Sequence, residues 1–556
     1  RALGLSKTSI QKKIKSNKSF LWLKRQVSER ESQSVRKAGL AGIGFIEEHQ
    51  RFYPNSEIGA HVIGFTGIDP KGLEGLELSY NAQMLSEGGY RVVEQDALRR
   101  GLGSGDRVVS GDQGGANLYL TLDKNVQYIA EKELAAGVAE MGAKGGSAIV
   151  LDPSSGRVLA MANQPDYNPN AFSGYRPSQW RNRAICDTYE PGSTIKVFLM
   201  AAALNEKLLT PNSLIDCENG SYEVGGKVIH DHHAYGRINA AEVIKVSSNI
   251  GAAKIGKKLE RERFHRYLAD FGFGSPTGID LPGEAGGLLR EPSAWFEIDL
   301  AAIAFGQGMT VTPLQLARAT GVLANDGKLM SMPMVERIVT NGGEVMEEHR
   351  PELVRQVVSP EVARQVRKMM ALVVTDGGTG TLAAVPGFNV AGKTGTAQKV
   401  DRVTGGYSVD KRVASFVGMV PAEQPQLVVV VLVDEPDKGV YGGLVAAPIF
   451  SRIAEQTLRY LKIPPTDPQV LQSLAAMPLE EVLPQAIKAV FEDPGGTNLI
   501  MPDCIGMSYR QVLQLMAERG VNIKLRGSGR VVEQSPMPGR AIRYSKEVWV
   551  RLAPPS

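Results

Sequence analysis

Apolar positions along this chain change character twice, and the changes mark out its parts. Residues 1 to about 115 are polar and punctuated by glycine, with a charged, helical start, a solvated helix over residues 25–36 and short apolar segments such as His61-Val62-Ile63-Gly64-Phe65. From Leu118-Tyr119-Leu120-Thr121-Leu122-Asp123 the pattern becomes that of a packed domain, with Asp123 placed to cap a helix running through Val126, Ile129 and Leu134. Residues 147–151 and 157–162 are apolar runs joined by Asp152-Pro153-Ser154-Ser155-Gly156, which predicts a hairpin. Residues 413–420 and 427–433 predict a second strand pair. Between them, Tyr189-Glu190-Pro191-Gly192 leads into Val197, Phe198, Leu199, Met200 and Ala201 to Ala203, a loop turning into a buried helix. The natural assembly is α+β, a central antiparallel sheet with helices on its faces.

The pattern changes again after residue 462. Ile463-Pro464-Pro465 opens a mixed segment that reads as a linker to residue 498. Residues 499–554 then predict a small α/β module. Ser508-Tyr509-Arg510-Gln511 is a capping-box pattern, Gly520 a helix stop, and residues 521–525, 531–534 and 548–552 are strands, with Ser535-Pro536-Met537-Pro538-Gly539 as a turn. The expected organisation is an N-terminal region over 1–115, a large domain over 116–462, a linker over 463–498 and the terminal module over 499–554.

Composition narrows the functional classes. The 556 residues are 43% hydrophobic, enough for several cores, and 63 Lys+Arg against 59 Asp+Glu leave a net charge of only +4, which argues against wholesale nucleic-acid binding. Lys7, Lys12, Lys13, Lys15, Lys18, Lys24 and Arg25 crowd the start, a solvated basic face or one that lies near anionic lipid. Cys186, Cys217 and Cys504 are far apart and lack metal-ligand spacing, and Cys186 reads as a small buried residue. His230, His232 and His233, with Asp231, are expected in a loop near the mouth of the active site rather than around a metal. No apolar run approaches the length of a membrane helix.

Three short motifs supply the candidate chemistry: Ser193-Thr194-Ile195-Lys196, Ser247-Ser248-Asn249 and Lys393-Thr394-Gly395-Thr396. Ser9 with Lys12 and Ser34 with Lys37 repeat the first spacing, but in polar surroundings with nothing to desolvate the lysine. At the start of a buried helix, Ser193 and Lys196 share one face and the lysine is expected within reach of the hydroxyl. A serine needs a base to take its proton, and burial favours the neutral amine that can do so; Lys393 nearby would push the same way. Ser247 and Asn249 are expected to carry the proton onward and hold a substrate amide. Lys393, Thr394 and Thr396 suit an edge strand that meets a substrate carboxylate, and the backbone N–H groups of Ser193 and Thr396 an oxyanion hole.

In this order the motifs resemble those of the penicillin-recognising serine enzymes, and the chain is similar to the class B penicillin-binding proteins, the monofunctional peptidoglycan transpeptidases. Asn182-Arg183-Ala184, Phe305-Gly306-Gln307-Gly308-Met309-Thr310-Val311-Thr312-Pro313, Gly378-Thr379-Gly380-Thr381, Tyr441-Gly442-Gly443 and Gly72-Leu73-Glu74-Gly75-Leu76-Glu77 all read like that family. The resemblance covers roughly residues 40–460, and residues 499–554 resemble a PASTA module. It implies the penicillin-binding fold with an N-terminal pedestal, and an acyl-enzyme on Ser193 with Lys196, Ser247, Asn249 and Lys393 as catalytic residues. Thr394, Gly395 and Thr396 would bind substrate, with no metal and no cofactor.

It further implies peptidoglycan stem peptides as substrates, β-lactams as covalent inhibitors, and a membrane glycosyltransferase and divisome proteins as partners. An N-terminal membrane anchor is expected before Arg1, with the catalytic domain outside the cytoplasm. Thr310-Val311-Thr312-Pro313 and the terminal module favour the division and sporulation branch. A β-lactamase or D,D-carboxypeptidase, and a non-catalytic β-lactam sensor, stay open as alternatives. Against the first, no Glu-x-x-Leu-Asn follows the second motif, and Glu77-Leu78-Ser79-Tyr80-Asn81 lies before the nucleophile.

Overall fold

In the computed structural model, which describes residues 2–15, 20–46, 48–85, 91–92, 107–108, 115–400, 406–466, 501–517, 521, 523–527, 529–540, 542 and 548–553, the turn at Asp152 starts the central sheet. The Asp152 carboxylate accepts from Ser154 N–H at 2.9 Å and from the hydroxyls of Ser154 at 2.7 Å and Ser155 at 2.6 Å. This self-bonding closes β1 (Gly145–Leu151) onto β2 (Val158–Gln164). β3 (Ala391–Val400), β4 (Tyr407–Val420) and β5 (Leu427–Asp434) complete an antiparallel sheet of order β3-β4-β5-β1-β2. Val430 sits opposite Ile149, and Lys393 opposite Val417.

Every residue of β5 is buried, because both faces of the sheet are covered. Side chains alternate between two cores. Val429, Val431 and Val433 pack with α1 (Lys124–Glu140) and α6 (Ala447–Tyr460), whose Val126, Leu134, Phe450 and Ile453 share that core. Val428 and Val430 face α2 (Lys196–Asn205), α4 (Pro313–Ala324) and α5 (Pro360–Ala371), through Phe198, Leu316 and Val366. Asp123 caps α1 by accepting from Asn125 and Val126 N–H at 2.8 and 3.1 Å. α3 (Asn249–Leu259) lies beside α2 in the same core, through Ala252 and Ile255.

The described residues divide into two units, one of residues 57–64 and 74–486, the other of 1–56, 65–73 and 487–556. Within the first, Gly59 N–H donates to Glu131 of α1 at 2.9 Å, Tyr167 hydroxyl to Ala60 carbonyl at 2.9 Å, and Tyr80 hydroxyl to Asp280 at 2.7 Å. Residues 57–64 and 74–85, read from sequence as part of the pedestal, are therefore tied by hydrogen bonds to α1 and to loops of the unit that holds the central sheet.

In the second unit, the helix expected over 25–36 runs instead over Glu29–Lys37. Ser28 and Glu31 form a capping box that fixes its start, while Arg25 leaves the helix to pair with Glu48 at 2.7 Å and Asp69 at 2.6 Å. Near the C-terminus, Ser508 N–H donates to Gln511 at 2.9 Å ahead of the helix Tyr509–Ala517. Trp549–Ala553 pairs parallel with Lys524–Gly527 and antiparallel with Arg530–Ser535. Gly520 and the linker beyond residue 466 lie outside the described residues. Among the described residues no helix is long and apolar enough to cross a membrane.

Candidate active site

Ser193 sits half-buried on a 3₁₀ turn, Gly192–Ile195, that runs directly into α2. Gly192 holds φ +54°, and a Cβ there would lie 2.9 Å from the Thr396 carbonyl oxygen. Only glycine lets the turn rest on β3 in this way. The backbones expected to form the oxyanion hole, at Ser193 and Thr396, are thereby brought side by side. Gly395 is as tightly enclosed, since a Cβ would meet Ser415 Oγ at 2.3 Å and Thr194 Cγ2 at 2.9 Å.

Lys196 follows Ser193 by three residues and is only 1% exposed. Its Nζ donates to the Ser247 carbonyl and to Asn249 Oδ1, each at 2.7 Å, and to Ser247 Oγ at 3.3 Å. No hydrogen bond joins it to the Ser193 hydroxyl. All three acceptors belong to the second motif, which fixes the amine at the foot of the serine turn.

Ser247 lies at φ +63°, in the left-handed region, and this turns both its carbonyl and its hydroxyl toward the lysines. Ser248 is the N-cap of α3, accepting from Gly251 N–H at 2.9 Å. Asp231 completes the cap. Its carboxylate accepts from the Ser248 hydroxyl at 2.6 Å, from Ile250 N–H at 3.1 Å and from Asn249 N–H. Asn249 Nδ2 donates to the His230 carbonyl at 3.1 Å, which fixes the amide so that Oδ1 faces Lys196.

Asp231 is a residue that sequence reasoning missed. Its signal in the sequence is an acid inside the histidine cluster, 17 residues before the serine it bonds. His232 instead meets the ring of Tyr441 edge-on, with centroids 5.9 Å apart.

The third motif occupies β3, the edge strand. Lys393 is fully buried and its Nζ donates to Ser247 Oγ at 2.9 Å and to the Thr394 carbonyl at 3.1 Å. Thr394 Oγ1 shares a hydrogen bond of 2.9 Å with Thr379 Oγ1, and Thr396 Oγ1 accepts from Gly442 N–H at 3.2 Å. The Gly378–Thr381 and Tyr441–Gly443 motifs therefore buttress the strand. Burial, reinforced by the charge of Lys393, holds Lys196 well below the ordinary lysine range. Burial alone lowers Lys393 to about 7. Two buried amines that lose their protons easily flank one hydroxyl, an arrangement able to accept a proton from a nearby alcohol and pass it on.

The chain matches the penicillin binding protein transpeptidase domain over residues 146–455, the penicillin-binding protein dimerisation domain over 2–120 and the PASTA domain over 499–554. It belongs to the penicillin-binding protein transpeptidase family, in its class B form. Peptidoglycan D,D-transpeptidase FtsI of Escherichia coli is 36% identical, over 80% of this chain and 73% of that one. Stage V sporulation protein D of Bacillus subtilis is 33% identical over 95% of this chain and 79% of its own. Among solved structures, penicillin binding protein 3 from Mycobacterium tuberculosis, complexed with aztreonam, superposes with a TM-score of 0.68 at 32% identity, covering 75% of this chain and 91% of that one.

Proposed function

We propose that this chain is a serine D,D-transpeptidase that cross-links peptidoglycan stem peptides in septal cell-wall synthesis through an acyl-enzyme on Ser193, and that β-lactams acylate the same serine. The observation that carries the site assignment is the position of Ser247 Oγ, 3.3 Å from Lys196 Nζ and 2.9 Å from Lys393 Nζ, beside the turn that bears Ser193. Neutral Lys196 takes the Ser193 proton as Oγ attacks the penultimate D-Ala carbonyl. The N–H groups of Ser193 and Thr396 stabilise the oxyanion. As the C–N bond breaks, the proton passes by way of Ser247 to the departing D-Ala amine. An acceptor amine then attacks the ester, returns a proton to Ser193 Oγ, and leaves as the new cross-link. Lys393, Thr394 and Thr396 hold the terminal carboxylate, and Asn249 the donor amide.

The family resemblance supports further assignments. The enzyme acts outside the cytoplasm, held by a membrane anchor, and works with a membrane glycosyltransferase and other divisome proteins. Residues 1–115 raise the catalytic domain of residues 116–462, and residues 499–554 serve as a spacer or docking module.

Intact mass spectrometry after incubation with benzylpenicillin, with peptide mapping and a time course, tests the reading. A long-lived adduct on Ser193, absent from Ser193→Ala, is expected. Rapid loss of the adduct would assign a β-lactamase or D,D-carboxypeptidase, and a stable adduct without turnover of a thioester stem analogue would assign a sensor.

A further inference from the structure

Glu190 precedes the nucleophile by three residues and makes contacts that none of the three motifs requires. Its Oε1 accepts from Gly308 N–H at 2.8 Å and from the Tyr407 hydroxyl at 3.0 Å. Its Oε2 is buried and has no hydrogen-bond partner among the described residues. Burial raises this carboxyl above its ordinary range, so the site keeps an acid there at a cost.

The contacts form part of a longer seam between the nucleophile turn and the 305–311 loop. Gly192 N–H donates to the Gly306 carbonyl at 3.0 Å, and Tyr189 and Val311 exchange a pair of backbone bonds at 3.0 and 2.9 Å. Gly306, at φ +90°, lies so close that a Cβ would fall 2.0 Å from the Gly192 carbonyl oxygen. Backbone groups supply the bonds at 189 and 192, and between them the Glu190 side chain supplies the one to Gly308. Through Tyr407 the same oxygen reaches the first residue of β4, which pairs with Val400 at the end of β3. One carboxyl oxygen thus joins the turn carrying Ser193, the loop behind it, and the strand pair whose edge carries Thr396.

We infer that Glu190 is a positioning residue for acylation, which sets the orientation of the Ser193 turn against β3 through Gly308 and Tyr407. The inference rests on Ser193 being the nucleophile. It concerns the chemical step rather than affinity, because Glu190 acts on the orientation of Ser193 Oγ and Ser193 N–H.

The test measures acylation by benzylpenicillin in a quenched-flow series, with the adduct mapped by mass and the rate separated into the binding constant Ks and the acylation constant k2. Glu190→Ala is expected to lower k2 by about 10- to 100-fold while Ks changes by less than about threefold, the scale of a misplaced reacting group. Glu190→Gln, whose amide oxygen accepts both bonds, is expected to recover k2 to within about threefold of the unmodified chain, and Tyr407→Phe to lower it by about three- to tenfold with an unchanged melting temperature. A Glu190→Ala protein that acylates at the unmodified rate overturns the proposal, as does a loss confined to Ks or a Gln variant as slow as the Ala variant. Should Glu190→Ala fail to fold, the Gln and Phe variants decide, and an unchanged k2 in Tyr407→Phe overturns the proposal. Absence of a Ser193 adduct in the unmodified chain overturns the nucleophile assignment and this inference together, whereas an adduct with unaltered variant rates removes the inference alone.

Discussion

The Ser248 hydroxyl donates to Asp231 over 2.6 Å and accepts from Gly251 N–H over 2.9 Å, so the start of α3 is closed by two side chains from different segments. Removing the carboxylate strips an acceptor from Ser248, Asn249 and Ile250 together. Asp231→Ala is expected to destabilise the fold by about 1–3 kcal/mol and to slow acylation, because Asn249 and Ser247 lose their fixed placement. Differential scanning calorimetry and penicillin labelling on the same preparation check both effects. A variant with unchanged melting and labelling would mean that Ser248 alone suffices as the cap.

The two buried lysines give acylation a defined pH dependence. On the proposed mechanism Lys196 must be neutral to accept the Ser193 proton, so the rate is expected to rise with pH as that amine, already lowered by burial and by Lys393, deprotonates. Lys393, lowered to about 7, must in the same mechanism be charged to hold a carboxylate, so binding is expected to weaken as pH rises through that value. A bell-shaped profile of the second-order acylation constant for benzylpenicillin is expected, with its alkaline limb falling through about pH 7. In Lys393→Arg the alkaline limb should vanish, since guanidinium stays charged well above that pH; a surviving alkaline limb would assign it to another group.

Stability should follow the same lysine. Lys393 has a folded pKa of about 7 against about 10.4 in an unfolded chain. Between those values the unfolded state binds more protons, so stability rises with pH across the window and the cost of burying the charge is fully present below pH 7. Lys393→Met should flatten that slope in urea denaturation measured at pH 7, 8 and 9. An equal slope in both proteins would show that Lys393 is not held neutral in the fold.

Gly395→Ala tests the contact between β3 and the serine turn. The added methyl would fall 2.3 Å from Ser415 Oγ, 2.9 Å from Thr194 Cγ2 and 3.1 Å from the Pro191 carbonyl oxygen, so it presses on the serine turn through its backbone as well as its side chains. Acylation is expected to fall by about 100-fold or more, a loss read directly from the labelling rate.

Much of this was legible in the sequence, and the exceptions share a cause. Short, nearly continuous apolar runs mark β1, β2, β4 and β5, and the Asp152 turn and Asp123 cap act on near neighbours. The three motifs were recognisable because each is short and continuous. The placement of Lys196 was not, since its acceptors lie 51 and 53 residues away, and α2 alone suggests only Ser193. Asp231 and Glu190 were hidden for the same reason. Their partners are largely backbone N–H groups of other segments, 118 residues distant in the case of Gly308, and a backbone donor leaves no mark on a sequence. The helix near the start begins at Glu29 because Ser28 caps it, a local signal embedded in a run of charge.

The seam of Gly192, Gly306, Gly395 and Gly442 has a consequence for how such a chain matures. If Ser193 is the nucleophile proposed above, its reactivity depends on segments that leave the ribosome about 250 residues later, since Thr396 is braced by Gly442. A nascent or partly folded chain would carry the nucleophile without the surroundings that make it reactive. Covalent capture by a β-lactam would therefore count only molecules whose domain has closed, so that a fluorescent penicillin reports the completion of folding as well as the presence of the enzyme.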